Sequence, residues 1–216
     1  MSATPGRVAV AKGWCVVKAA GDPLPLMLDI HAGRELIRQG EPYPDAWVIR
    51  TGALLMEMID VEGHRLALDV LGPGDLVGGP TSWTADASVR ALVRSGLIAA
   101  GPIALRDGLA RRARRASWLA CSVAWDRIAD RLTARLDDLA TRFGRSVPGG
   151  RRVDLPLTQE QLAGLTGATR ESVNRALAEL TAAGRVERTR GRYTVRPPNE
   201  AGVAALPVGL QHRKGA

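Results

Sequence analysis

The segment from Gln159 to Leu180, QEQLAGLTGATRESVNRALAEL, constrains the fold more than any other part of the chain, because small residues recur in it at fixed spacings. It reads as two short amphipathic helices separated by Gly167, which supplies the positive φ that a tight turn requires. Ala163 allows the helices to approach closely, whereas Val173 and Ala176 face the core together with Leu177. The segment therefore predicts a helix-turn-helix.

Capping residues mark the starts of both helices. Thr158 followed by Gln161 forms a capping box for the first helix. Thr169 is the predicted N-cap of the second helix. The boundaries of the motif are therefore set by local sequence alone.

The outer face of the second helix carries side chains that can read base edges. Arg170 and Arg175 can each donate two hydrogen bonds to a guanine edge, and Glu171 can accept from a cytosine amino group. At the N-terminal end of such a helix these residues would enter the major groove first. The alternative is a solvated helix start without a ligand. We favour binding to double-stranded DNA, with candidate contacts at Thr158, Gln159, Thr169, Arg170, Glu171, Asn174 and Arg175.

Charge is distributed unevenly along the 216 residues, whose net charge is +8. Residues 1–100 hold 9 basic and 11 acidic side chains, whereas residues 101–216 hold 21 basic and 11 acidic ones. Of the 30 basic residues 27 are arginine, which binds phosphates and guanine edges through two parallel hydrogen bonds. This bias favours a polyanion partner for the C-terminal half, although genome composition explains arginine richness equally well.

After the helix-turn-helix, residues 184–195 alternate apolar and polar side chains around a glycine turn, which predicts a two-stranded wing. Arg188, Arg190 and Arg192 would then follow a backbone phosphate track. We expect residues 197–216 to form a flexible tail, because they show no periodicity.

In the N-terminal half, glycines interrupt the chain every 7 to 12 residues between about 26 and 103. The runs between them, such as residues 47–49, 53–56 and 66–71, are short and apolar. Regularly spaced short strands predict a small barrel or sandwich. Residues 61–64 read as the tip of a hairpin.

From residue 105 the composition changes to alanine and arginine at helical spacing. Apolar residues then recur at steps of 4, 3, 4 and 3, as in the seam of a coiled coil. A helix packed only on its own domain is the alternative, but Trp118, Leu119 and Trp125 add a second apolar face. We therefore predict a homodimer, with an interface at Leu109, Ala113, Ala116, Ala120 and Val123.

A further helix is predicted from Asp126 to Phe143, with Ile128, Leu132, Leu136 and Leu139 on its apolar face. Gly144 and residues 148–150 end it and are interpreted as a linker to the next unit.

The order of these parts resembles the CRP/FNR superfamily of bacterial transcription regulators over about residues 25–196. The most specific part is TRESVNRAL at Thr169–Leu177. The resemblance implies that Arg170, Glu171 and Arg175 read a TGTGA-like half-site, and that a dimer binds a pseudo-palindromic operator. It also implies contact with RNA polymerase. A location in the cytoplasm is expected because the first 14 residues lack the apolar core of a secretory signal.

In the sensor half the resemblance extends to the turns of a cyclic-nucleotide-binding-like β-roll, at residues 32–41, 51–54 and 72–79. Members that bind cyclic AMP have a Gly-Glu pair for the ribose and an Arg-Ser pair for the phosphate. Here Gly78 and Gly79 occupy the first pair, and Ala85 and Asp86 fall where the second would stand. Losing these charge-assisted contacts disfavours cyclic nucleotide binding. We thus expect a degenerate ligand pocket and no cofactor.

The alternative is the same fold controlled by a small ligand, haem or thiol redox signal in the β-roll. Cys15 and Cys121, the two cysteines, cannot supply a four-cysteine cluster within one chain, and His31, His64 and His212 are scattered. We therefore predict no metal site. No catalytic motif is present, so we expect no enzyme, and no stretch reaches the ~20 apolar residues of a membrane span.

Together these features predict an α+β protein. Residues 1–24 form an N-terminal segment and 25–104 a jelly-roll-like sensor. Residues 105–125 form a dimerisation helix, 126–196 a winged helix-turn-helix, and 197–216 a tail.

Overall fold

The computed structural model describes residues 27–43, 45–79, 84–189 and 191–197, together with the backbone of residues 15–17. The strands of the N-terminal half are β1 (Cys15–Val17), β2 (Met27–Ile30), β3 (Glu35–Ile37), β4 (Ala46–Thr51), β5 (Leu54–Ile59), β6 (Arg65–Leu71), β7 (Leu76–Gly78), β8 (Ser88–Ala91) and β9 (Ser95–Ala99). The remaining elements are α1 (Pro102–Trp125), α2 (Ile128–Phe143), β10 (Gly144–Val147), β11 (Gly150–Val153), α3 (Gln159–Thr166), α4 (Arg170–Ala182), β12 (Val186–Thr189) and β13 (Arg192–Val195).

The N-terminal strands form two antiparallel sheets, with orders β1-β2-β9-β4-β7 and β3-β8-β5-β6. Alternating side chains of both sheets fill the space between them, among which Ile30, Leu54 and Leu97 are fully buried. Gly63, with φ of 87°, closes the hairpin between β5 and β6, where the Asp60 amide donates to the His64 carbonyl. The predicted β-roll and its hairpin tip are confirmed. The roll also takes in β1, which pairs with β2 and lies within the segment assigned to the N-terminus.

The helix α1 is longer than the sequence indicated. It begins at Pro102, not at residue 105. Proline is tolerated at the first helical position because an N–H there would have no partner within the helix and the proline ring meets no preceding turn. Its buried residues are Gly108, Leu119 and Ser122, and Gly108 packs against Leu76 of the roll. Trp125 is 86% exposed, so it does not share an apolar face with Leu119.

The C-terminal unit packs α2, α3 and α4 against a sheet of order β10-β11-β13-β12. Residues 144–153 form the β10–β11 hairpin, and β11 pairs with β13 of the wing. Sequence analysis had interpreted Gly144 and residues 148–150 of this hairpin as a linker. That hairpin escaped prediction because its strands, GRSV and GRRV, carry charge in place of an apolar alternation. The helix α2 begins at Ile128, two residues later than predicted.

One apolar core continues from the β-roll into the C-terminal unit. It joins Leu55, Ala67 and Val70 of the roll to Leu132 and Leu136 of α2. The contact is also close at Gly164 of α3, where an added Cβ would lie 3.0 Å from the Ala67 nitrogen. The two units are therefore packed together rather than only tethered.

Candidate nucleic-acid interface and sensor cavity

The first helix of the helix-turn-helix begins as predicted. The Thr158 hydroxyl accepts from the Gln161 amide at 3.1 Å, and the Gln161 side chain accepts from the Thr158 amide at 2.8 Å. Gly167 then adopts φ of 57° and ψ of 47° in the turn. The capping box and the left-handed glycine are confirmed, and both follow from local sequence.

The second helix, α4, begins at the predicted N-cap. The Thr169 hydroxyl accepts from the Ser172 amide at 3.2 Å and lies 3.0 Å from the Ser172 hydroxyl. Val173, Ala176 and Leu177 are buried, so the inner face of α4 is fixed by packing. The orientation of the opposite face is thereby fixed as well.

That opposite face bears the predicted contact residues. Arg170, Glu171, Asn174 and Arg175 are all exposed and lie together on α4, beside the exposed N-cap Thr169. Sequence analysis missed Ser172, whose hydroxyl accepts from Arg175 Nη2 at 3.4 Å and so helps to orient that guanidinium. Its position three residues after the N-cap was the available signal. At the start of α3, Thr158 is exposed and Gln159 half-buried.

The wing holds its arginines in different ways. Arg188 is exposed and lies over the Tyr193 ring, 5.9 Å from its centroid. Arg192 is half-buried, and its Nη1 lies 3.7 Å from an Asp154 oxygen. Arg190 lies outside the described residues. Arg188 is thus the more accessible of the two described wing arginines.

The predicted dimer seam runs along one side of α1. Leu109 is half-buried, and the other four members of the seam are exposed in the single chain: Ala113, Ala116, Ala120 and Val123. On a neighbouring side, α1 touches the roll so closely that a Cβ on Gly108 would lie 2.4 Å from the Leu76 Cβ, and Ala116, Ala120 and Val123 of the seam also line a cavity between α1 and the roll. The small side chains of the seam would allow a second helix to approach closely.

The residues of the expected degenerate pocket come together around the end of β7. Gly78 has φ of 84°, and a Cβ there would lie 2.1 Å from the Asp45 carbonyl oxygen, so the turn requires glycine. Gly79 and Ala85 are buried and offer no polar side-chain atom, whereas Asp86 is exposed. The enclosed space among Gly78, Ala85 and Asp86 amounts to about 10 Å³.

An arginine of α1 that sequence analysis did not single out fills this region. Arg112 Nη2 donates to the Gly78 carbonyl at 3.1 Å and lies 3.3 Å from the Leu76 carbonyl. Burial lowers the pKa of Arg112, and the nearby Asp86 carboxylate opposes that shift. A guanidinium of the protein itself therefore lies beside the position where the resemblance places a cyclic phosphate.

Two neighbouring arginines of α1 also bind the roll. Arg111 donates to the Gly74 carbonyl at 2.8 Å, and Arg115 lies 2.8 Å from an Asp69 oxygen. Burial raises the pKa of Asp69, although Arg142 and Arg115 oppose that effect. Much of the positive charge of α1 is consequently used inside the chain.

A larger cavity of about 530 Å³ lies between α1 and the β5–β6 hairpin. Its wall is mostly apolar, with Met56, Met58 and Leu68 on the roll side. Charged side chains also line it: Asp69, Asp75, Asp86, Arg111, Arg112 and Arg115. Apolar enclosure with a few polar groups is typical of small-molecule sites.

The residues considered as haem or metal ligands do not converge in the described ranges. His64 lies at the exposed hairpin tip, with its Nδ1 2.9 Å from Asp60 Oδ2, and that contact lowers the pKa of Asp60. Cys121 is an exposed free thiol on α1. Among the described helices, none is long and apolar enough to cross a membrane.

Comparison with known proteins matches both units. The model of the Crp-like helix-turn-helix domain matches residues 126–202, and that of the cyclic nucleotide-binding domain matches residues 27–112. The chain is 32% identical over 169 residues to the CRP-like cAMP-activated global transcriptional regulator of Mycobacterium tuberculosis, covering 70% of this chain and 75% of that one. The chain belongs to the CRP/FNR family of transcription regulators.

Other members of the CRP/FNR family support the same assignment. The regulatory protein CysR of Synechococcus elongatus is 31% identical over 157 residues, covering 70% of this chain and 76% of that protein. A CRP/FNR regulator from Thermus thermophilus has the same fold, with a TM-score of 0.71 at 22% identity over 79% of this chain and 93% of that one. The α+β fold, the family and a DNA-binding helix-turn-helix are therefore confirmed.

Proposed function

We propose that this regulator binds a pseudo-palindromic operator as a homodimer and reads TGTGA-like half-sites without a cyclic nucleotide. The observation that carries the proposal is the two-sided structure of α4. Its inner face is buried at Val173, and its outer face presents Arg170, Glu171 and Arg175 to solvent. An arginine can recognise guanine O6 and N7, and Glu171 can accept from the cytosine of an adjacent pair. Thr158, Gln159, Thr169 and Asn174 would add contacts at the same surface.

The dimer is proposed to form through α1. Small residues at Ala113, Ala116 and Ala120 would let a second α1 approach closely, flanked by Leu109 and Val123. Val123 is 40% exposed in the single chain and would be covered by such a partner helix. Two-fold symmetry would then present two α4 helices to successive turns of the major groove.

Independence from cyclic nucleotides is supported by the chemistry of the degenerate pocket. Gly79 has no side-chain carboxylate to accept from a ribose hydroxyl, and the Asp86 carboxylate would repel a phosphate. Arg112 already donates to the Gly78 carbonyl. The space of about 10 Å³ beside Gly78 shares Asp86 and Arg112 with the neighbouring cavity of about 530 Å³, so the lost polar contacts, and not the volume, disfavour a nucleotide here. We propose that the protein has no cofactor and that its DNA-binding form requires none.

The second candidate is control by a small molecule in the cavity of about 530 Å³, which is large enough for a drug-sized ligand. Its occupant would contact Met58 and Leu68 and reach Arg115. Thiol redox control through exposed Cys121 is a variant of this candidate, and a C121S protein with an unchanged oxidant response would contradict it.

The remaining proposals rest on the family. The relatives are bacterial transcription regulators, and we propose that this chain likewise is not an enzyme, acts in the cytoplasm and contacts RNA polymerase.

The proposal is tested by thermal unfolding with and without cyclic AMP, together with titration of a TGTGA-palindrome duplex and light scattering. We expect no shift in the melting temperature, selective binding without nucleotide, and the mass of a dimer. Saturation at about 100 times Kd stabilises by about 2.7 kcal/mol, so a cyclic AMP site would raise the melting temperature visibly. Such a rise, together with DNA binding that depends on cyclic AMP, would contradict the proposal.

A further inference from the structure

The last turn of α2 holds a guanidinium that reaches out of the DNA-binding unit into the β-roll. Arg142 Nη2 donates to the Val70 carbonyl at 2.6 Å and to Asp75 Oδ2 at 2.8 Å. Its Nη1 lies 3.4 Å from Asp69 Oδ1 and 3.1 Å from Asp138 Oδ2. The Arg142 side chain is 19% exposed, so this contact between the units is largely shielded from solvent.

The same two carboxylates of the roll also bind α1. Arg115 Nη1 lies 2.8 Å from Asp69 Oδ2 and 3.0 Å from Asp75 Oδ2. Asp75 is fixed in turn, because it accepts from the Gly72 amide at 2.9 Å. Asp69, Asp75, Arg115 and Arg142, which we name the junction cluster, therefore join three parts: the roll, the proposed dimer helix and the DNA-binding unit.

Two further arginines of α2 connect it to its neighbours. Arg131 Nη1 donates to the Val123 carbonyl at the end of α1 at 2.9 Å. Arg135 Nε donates to the Leu165 carbonyl near the end of α3 at 3.1 Å, and its guanidinium stacks on Trp118 of α1 at 4.5 Å. Because α1, α3 and the roll are all bound to one helix, α2 can set the angle between α1 and the helix-turn-helix.

We propose that Arg142 is a positioning residue for operator binding, and that the junction cluster fixes α4 relative to α1 so that two half-sites at one spacing are engaged together. This inference rests on the proposed dimer. Arg142 does not touch DNA in this account. It orders the DNA-binding unit before the operator is bound, so binding avoids the entropy loss that a mobile connection would incur.

A role in orientation fits the physics of the cluster better than a role in stability alone. Replacing a whole buried ion pair by apolar groups is often neutral or stabilising, so an intact pair adds little net stability, although removing one partner is costly because it leaves a buried charge unpaired. A pair is satisfied only in one arrangement of its partners, however. At this junction a Cβ on Gly72 would lie 2.5 Å from the Phe143 ring. This close contact also restricts how the end of α2 packs on the roll.

The test compares R142Q with wild-type protein on three duplexes: the full operator, a duplex with one half-site scrambled, and an operator with a lengthened spacer. The matched control is R94Q, because Arg94 pairs with Asp29 entirely within the roll. We expect R142Q to lose at least about fivefold in affinity for the full operator, the lower end of typical coupling between sites. Its affinity for the half-site duplex should stay unchanged, its penalty for the longer spacer should shrink, and R94Q should match wild type.

A second variant, D69N/R142Q, removes one charge of each sign and serves if R142Q does not fold. Equal affinity of the folded variants and wild type for the full operator would overturn the inference, and so would an equal loss on the half-site duplex.

Hydrogen exchange separates the inference from the function on which it rests. If wild type shows no preference for any operator, the proposed function fails. Faster exchange of β6 amides in R142Q, with β2 and β9 unchanged, would still support the role of Arg142 in holding α2.

Discussion

The arginines of two helices of this protein, α1 and α4, are used in opposite ways. In α1, Arg111, Arg112 and Arg115 bind carbonyls and carboxylates of the β-roll. In α4, Arg170 and Arg175 stand in solvent above a buried apolar face. In α1 the arginines therefore hold the helix on the β-roll, whereas in α4 they stay available to a ligand.

This difference shows that arginine content alone does not indicate whether the side chains contact a ligand or the protein itself. An excess of arginine in the C-terminal half suggested a polyanion partner, yet three guanidiniums of α1 already bind the roll. Arginine with internal partners stabilises an arrangement, whereas exposed arginine on a fixed helix face can contact DNA with little reorganisation. Replacing one of these arginines at a time should therefore change either stability or DNA binding, but not both.

The largest effect on stability is expected for R115A. The change leaves Asp69 and Asp75 with one arginine fewer and removes two ion pairs, at 2.8 and 3.0 Å. Breaking a buried pair costs about 3 to 5 kcal/mol, and we expect about 2 to 3 kcal/mol here because the Arg115 side chain is 34% exposed. Denaturant unfolding measures this loss, and an unfolding free energy equal to that of wild type would show that the α1 arginines are not structural.

The second effect falls on DNA and not on stability. R170A should lose about 1 to 3 kcal/mol of affinity for the operator and relax the choice at one guanine, because one bidentate contact disappears. Its melting temperature should equal that of wild type, since Arg170 is exposed at the start of α4. Competition binding with single-base operator variants measures the change, and full specificity in R170A would show that the register of α4 on DNA is wrong.

A smaller and less selective effect is expected for R188A in the wing. A phosphate contact carries no sequence information, so R188A should weaken the operator and scrambled DNA by the same factor. The slope of log affinity against log salt should fall by about 1. A preference between the two duplexes that differs from wild type would assign Arg188 to a base edge.

The smallest effect is expected for R114A, which serves as the control for the other three. Arg114 is exposed on α1, between arginines that bind the roll. Surface substitutions of this kind usually change stability by less than about 0.5 kcal/mol. R114A should therefore match wild type in both unfolding and DNA titration, and a clear loss in either would assign Arg114 a contact in the dimer or on DNA.

How far the sequence predicted the structure depended on the range of the interactions involved. Thr158, Gln161, Gly167 and Thr169 act on backbone groups within a few residues, so their pattern predicted the helix-turn-helix correctly. The glycine spacing predicted the β-roll for the same reason. Capping and turn chemistry are local and are visible in sequence.

Long-range partners were not predictable in this way. Arg112 binds a carbonyl 34 residues away, and Arg142 binds one 72 residues away, so neither role has a local signature. The β10–β11 hairpin was mistaken for a linker because β11 is stabilised by pairing with β13 and not by its own apolar pattern. The region around Gly78 could be recognised as altered from sequence, but only the structure identifies Arg112 as the group that fills it.

The most direct test of the account is a titration of effector-free wild type, R170A and R114A against a TGTGA-palindrome and a scrambled duplex at one near-physiological salt concentration. We predict that wild type and R114A prefer the palindrome by about a thousandfold or more, as specific DNA-binding proteins do, and that R170A loses a large part of that preference. Equal preference in R170A and wild type, or no preference in effector-free wild type, would contradict it.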